Sequence, residues 1–116
     1  MKLLLTLALV VFAGVQDTAI YEPGKGVSLP QATKQVKADY TEEAKANRIE
    51  GAVFLDVVVL ADGAVGEVKV AKSLDSIYGL DANAVKAMKK WEFKPGTKDG
   101  KPVAVHVHVE MTFSLR

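Results

Sequence analysis

From Val103 to the C-terminus the chain alternates. Val103, Val105, Val107, Val109, Met111, Phe113 and Leu115 fall on every second position, with Ala104, His106, His108, Glu110, Thr112, Ser114 and Arg116 between them. Strict period-2 alternation assigns each set to its own face of a β-strand, because successive Cβ atoms point to opposite sides. Fully burying an aliphatic or aromatic side chain stabilises a fold by roughly 1.5–3 kcal/mol, so this strand is the largest single contributor to a core. At about 3.3 Å per residue it would extend some 40 Å, well beyond the usual strand of about 5–6 residues. Its length therefore predicts a bend, or an edge that outruns its partner inside the domain.

Val53 to Leu60 is apolar at every position but Asp56 and rich in valine, which predicts a strand rather than a helix. Apolar on both faces, it belongs in the centre of a sheet with both faces covered. Asp62-Gly63 is a hairpin signal. Val65 to Ala71 returns, and its apolar positions Val65, Val68 and Val70 break step near Gly66, which predicts a bulge there. Two helices are predicted. Asp39 to Glu50 has a cap in Thr41 or Asp39, acids in its first turn, Arg48 in its last, and Gly51 at the C′ position. Asp81 to Trp91 has Asp81 as N-cap, with Ala84, Val85, Met88 and Trp91 on one stripe and Lys86, Lys89 and Lys90 off it. Ser73 to Gly79 reads as a loop and Gly96 to Gly100 as a polar turn. The predicted fold is α+β: two helices packed on one face of a three-stranded antiparallel sheet.

The 116 residues allow one domain with little left over. Three segments are expected. Residues 1–13 have the parts of a signal peptide: a basic start at Met1-Lys2, an apolar run from Leu3 to Phe12, and small residues flanking Phe12. The run is short of the roughly 20 apolar residues of a spanning helix, so an exported, periplasmic chain is expected, with membrane contact only through the leader if it stays uncleaved. Residues 14–37 read as a tether, with a short strand at Val27 to Leu29 ended by Pro30. Residues 38–116 form the domain.

A formal net charge of +1 offers no case for nucleic acid, and the absence of cysteine excludes disulfides, thiolate metal sites and cysteine nucleophiles. His106 and His108 lie on one face of the last strand, about 7 Å apart. A His-x-His pair could supply part of a zinc or copper site, but no third histidine completes it, so no metal and no cofactor are assigned. Ser73, Ser76 and Ser114 have no nucleophile-elbow context, and Asp56, Asp62 and Asp81 read as strand exterior, turn and cap. No enzyme is expected.

Several residues together resemble one family, the C-terminal periplasmic domain of TonB-type energy transducers. The resemblance runs from Tyr40 to Leu115. It rests on Tyr40 and Ala44; on Gly51, Val53, Leu55, Val57 and Val59 leading to Asp62-Gly63; on Val65, Val68, Val70 and Ser73; on Leu80-Asp81, Ala84 and Ala87; on Trp91, Phe93 and Pro95; and on Gly100, Pro102-Val103, Phe113 and Leu115. It implies a domain that binds a short extended peptide, the TonB box of an outer-membrane transporter, beside its C-terminal strand. Such β-augmentation draws affinity from main-chain hydrogen bonds and selectivity from alternate side chains. The implied contact residues are Val103, Ala104, Val105, His106, Val107, His108, Val109, Glu110 and Met111, with Tyr40 and Thr41 at a turn where the family reads Tyr-Pro. The transducers' membrane helix and long proline-rich span are not recognised in this sequence, so a binding module is expected rather than a self-contained transducer. The alternative is self-association, in which a second copy covers the strand edge or the outer face of Phe54, Val58 and Leu60.

Overall fold

The computed structural model describes residues 19–116. The elements in order are β1 (Ile20–Tyr21), β2 (Gln31–Lys34), α1 (Glu42–Ala46), β3 (Gly51–Val59), β4 (Val65–Lys72), α2 (Leu80–Met88), β5 (Glu92–Lys94), β6 (Gly96–Lys98) and β7 (Lys101–Phe113). Residues 1–13, read above as a leader, and the first part of the tether lie outside the described residues. No helix among the described residues is long and apolar enough to cross a membrane.

β3 and β7 form the antiparallel centre of the sheet, in one unbroken register from Gly51 opposite Phe113 to Val59 opposite Val105. That register brings the two odd-numbered valine-rich sets together on one face. Val53, Leu55, Val57 and Val59 are buried there, as are Val103, Val105, Val107, Met111 and Phe113. Ala44 of α1 and Leu80, Ala84, Ala87 and Met88 of α2 close over them in a single apolar cluster. The alternation of the sequence thus specifies the core directly, since a one-residue slip would turn every valine outward.

The helices are shorter than their patterns suggested. α1 is capped by Thr41, whose Oγ1 accepts from the Ala44 N–H at 3.1 Å. It ends before Gly51, because Arg48 takes the left-handed turn at φ 54°. Gly51 instead opens β3 at φ 142°, where an added Cβ would stand 2.8 Å from Leu74 Cδ1. At α2 the cap position belongs to Gly79 rather than Asp81. The Asp75 carboxylate reaches the first-turn N–H of Leu80 at 3.1 Å, which leaves Asp81 free to accept from Leu74 N and Asp75 N, each at 3.0 Å, and from the Ser73 hydroxyl.

The sheet is larger than the three antiparallel strands predicted. Its order is β1-β7-β3-β4, with β6 paired to β7 as well, and β1 runs parallel to β7. β6 exists because Asp99 and Gly100 both adopt positive φ, 53° and 78°. That two-residue turn folds Gly96–Lys98 back on Lys101–Val103. β2 and β5 form a separate two-stranded sheet, so the expected tether strand at Val27 to Leu29 is replaced by strands on either side of it. Val27 is nevertheless buried, bridging to Gly24 and Lys98. The predicted bulge near Gly66 is present as a register shift between Val57 and Val59.

One expectation about β3 fails. It is central, but its second face is only partly covered: Val58 is buried, while Phe54 and the following Leu60 are each 39 % exposed. Lys72 partly shields the Phe54 ring, with Nζ 5.6 Å from its centroid. A long cationic side chain covers apolar surface with its stem while its head stays in water.

Candidate functional site

The sheet ends in β4 on one side and, beyond the two residues covered by β1, in β7 on the other, and these two strands differ. β4 is paired to β3 with two register shifts and carries Glu67, Lys69 and Lys72. Bulges and charges of this kind are how an edge strand is kept from pairing with another chain. β7 lacks both devices along most of its length. Its register against β3 is unshifted, and from Val107 to Phe113 Glu110 is the sole carboxylate. On the side of β7 away from β3, β1 pairs with Ala104 and Val105, and no other strand among the described residues lies beside the stretch from His106 to Phe113.

The nine residues picked out by the sequence, Val103 to Met111, all lie on β7. Val103, Val105, Val107 and Met111 face the core and are buried, with Val109 half-buried. Ala104, His106, His108 and Glu110 face the open side. Opposite them across the β3 ladder stand Val58, Asp56 and Phe54, paired with His106, His108 and Glu110. His106 Nδ1 is 3.0 Å from Glu22 Oε2, and His108 Nδ1 is 2.6 Å from Asp56 Oδ1. The two rings stand edge to face, 5.2 Å apart. Each imidazole thus takes a carboxylate on a neighbouring segment rather than sharing a ligand. No group of three or more His, Cys, Asp or Glu side chains among the described residues is placed to hold a metal ion. Asp56, read from sequence as a bare strand exterior, is the cross-strand partner of His108. Its place as the one polar residue of β3's hydrophobic run was the available signal.

Tyr40 and Thr41 sit at the other end of β7. The Tyr40 ring meets Phe113 edge-on with centroids 5.4 Å apart, and its hydroxyl donates to the Ile49 carbonyl at 2.5 Å. Lys45 Nζ lies 5.6 Å from the same ring. Burial and the Glu50 carboxylate push the phenol above its ordinary value, with Arg48 opposing. Thr41 Oγ1 donates to the Tyr78 carbonyl at 2.8 Å, which ties this turn to the loop before α2. Between residues 37–40 and 112–116 lies a cleft of about 620 Å³, lined by Lys37, Lys45 and Arg116 against the single acid Asp39. Tyr40 forms part of its wall; the open edge of β7 runs toward it.

The family pattern described as Gram-negative bacterial TonB protein C-terminal matches residues 36–115. Protein TonB of Vibrio cholerae is 33 % identical over 81 residues, which cover 70 % of this chain and 33 % of that protein. Protein tonB2 of Pseudomonas aeruginosa is 39 % identical over 77 residues, covering 66 % of this chain and 28 % of that one. The chain therefore spans about a third of the length of the curated relatives it matches. The solution NMR structure of the Pseudomonas aeruginosa TonB CTD superposes with a TM-score of 0.55 at 24 % identity, over 80 % of this chain and 92 % of that one. At that identity the likeness establishes the fold.

Proposed function

The chain belongs to the Gram-negative bacterial TonB protein C-terminal family, and we propose that it is a periplasmic module that binds an extended peptide of an outer-membrane transporter by strand addition to β7. Proteins of this family interact with outer-membrane transporters, and their C-terminal domains are non-enzymatic. The peptide is of the TonB-box type, and the receiving edge is Val103 to Met111. Residues 1–13 serve as the leader that exports the chain, 14–37 as its tether and 38–116 as the binding domain. The observation that carries this reading is the contrast between the two sheet edges. β4 is bulged and charged, whereas β7 keeps an unshifted register against β3 and, among the described residues, has no strand on its other side from His106 onward. A straight, unpaired edge is a template for another strand, which a soluble domain would otherwise blunt. The cleft at the Tyr40 turn receives whatever part of the peptide runs past Phe113.

Titrating the 15N-labelled chain with a synthetic TonB-box peptide is expected to move the amide resonances of β7, most of all from His106 to Met111. β4 should stay still. Shifts absent from β7 at millimolar peptide, or centred on β4, would remove the proposal.

A further inference from the structure

The edge assigned to the peptide is already occupied at one end by the chain itself. Ile20 and Tyr21 pair in parallel with Ala104 and Val105. Glu22 comes next, with its carboxylate 3.0 Å from His106 Nδ1, and Lys98 Nζ lies 4.9 Å from the Tyr21 ring. There the added strand stops. Pro23 has no N–H to offer a ladder, and Gly24 turns the backbone away at φ 99°.

The segment after this turn is fastened differently from the one before it. Gly24 and Val27 exchange backbone hydrogen bonds of 3.0 and 3.1 Å, and Ser28 N donates to the Thr97 carbonyl at 2.9 Å. The Thr97 N–H donates back to Ser28 Oγ at 2.8 Å, and Val27 is buried. The stretch from Gly24 to Ser28 is thus fixed on β6. Ile20 to Glu22 has two ladder positions, a half-buried Tyr21 ring packed against the core, an Ile20 side chain that is 54 % exposed, and a contact to His106 whose Glu22 side is 70 % exposed. Exposed pairs of that kind contribute little. A weak strand held next to its site by a fixed hinge has a high local concentration and a low intrinsic affinity. Those are the properties of an occupant that keeps an edge closed until a better strand arrives.

We infer that Ile20, Tyr21 and Glu22 form a latch: a displaceable strand of this chain that competes with the incoming peptide for Ala104 to His106. The inference rests on the strand-addition reading and adds a regulation to it. Peptide binding and latch docking exclude each other at those positions. The apparent affinity is then the intrinsic affinity reduced by the fraction of molecules whose edge is open.

The test uses the full chain, an Ile20→Pro/Tyr21→Pro variant that cannot maintain the ladder, and Glu22→Gln, which removes the charge facing His106. Amide hydrogen exchange reads the latch, and titration with the synthetic TonB-box peptide reads the site. Among Ala104, Val105 and His106, the amides whose N–H groups point toward β1 are expected to exchange faster in the proline variant. Its peptide dissociation constant should fall about three- to tenfold, and that of Glu22→Gln about twofold. Equal peptide affinity in all three chains, with protection lost in the proline variant, overturns the latch and leaves strand addition standing. Protection equal in the unaltered chain and the proline variant also overturns the latch. Peptide binding by none of the three overturns the strand-addition reading, and the latch with it.

Discussion

Gly63→Ala is expected to destabilise the domain by about 3 kcal/mol. Two causes combine. Gly63 sits at φ 89°, where an L-residue is disfavoured by roughly 1–2 kcal/mol. A Cβ there would also stand 2.1 Å from the Phe93 carbonyl oxygen, so the backbone of β5 or of the turn must move. Overpacking of this sort costs about 1–3 kcal/mol. The movement would break the bond that Phe93 N donates to the Gly63 carbonyl at 2.9 Å, and with it the adjacent bridge from Ala64 to Glu92. Gly100→Ala is the control. It has a similar φ of 78° but nothing within 4 Å of the added carbon, so it should cost only about 1 kcal/mol. Urea unfolding of both variants decides the matter. Equal losses would mean that the clash with Phe93 adds nothing to the backbone strain.

That pair of turns also marks the limit of what could be read from the chain. The same Asp-Gly dipeptide occurs at 62–63 and 99–100. Local chemistry predicts a hairpin at the first and a polar turn at the second. In the fold, both residues of Asp99-Gly100 have positive φ and close a two-residue hairpin, whereas of the earlier pair only Gly63 does. There Asp62 Oδ1 accepts from Ala64 N at 2.9 Å, and the loop is wider. Dipeptide chemistry permits a turn type, but the pairing of the flanking segments selects it. The valine alternation was legible because it encodes burial directly. β3, β4, β7 and the core face follow from it.

The elements that sequence missed are the ones held by long-range partners. β1 has two residues and no pattern of its own, and its strand conformation exists because β7 offers an edge. β2 is exposed at all four positions and finds a partner in β5, a segment for which the sequence predicts no strand. The pairing of Asp56 with His108 needed the register of β3 against β7, which periodicity alone cannot give. That register brings Asp56 to His108, while the carboxylate at His106 is Glu22, from the segment that follows β1.

Asp75→Asn should cost about 3 kcal/mol at neutral pH, and the cost should shrink as the solution is acidified. Asp75 is 6 % exposed, the one buried charged residue among those described. Its Oδ1 accepts from the N–H groups of Ile77 and Tyr78, both at 2.9 Å, and its Oδ2 from Tyr78 at 3.2 Å and Leu80 at 3.1 Å. Burial pushes the carboxyl group up, but the backbone donors of Tyr78, Ile77 and Leu80 outweigh it and hold Asp75 below its ordinary value. Asparagine keeps the shape but sets an NH2 group against a backbone N–H. A charge-assisted bond is lost, and buried donors are left unpaired. The loop that Asp75 organises also supplies the Tyr78 carbonyl that accepts from Thr41, so the turn at Tyr40 should loosen with it. The sign of the pH effect is set by the direction of the shift. With the folded value depressed, the stabilisation is fully present above the ordinary carboxylate range and is lost as pH falls through the folded value. The unaltered chain should therefore keep its advantage over Asp75→Asn from pH 7 down to the ordinary carboxylate range and lose it as pH falls below that range through the folded value. Because the other carboxylates are common to both proteins, the difference between their urea midpoints isolates Asp75. A difference that stays constant as pH falls below that range would mean the carboxylate is not the source of the stabilisation.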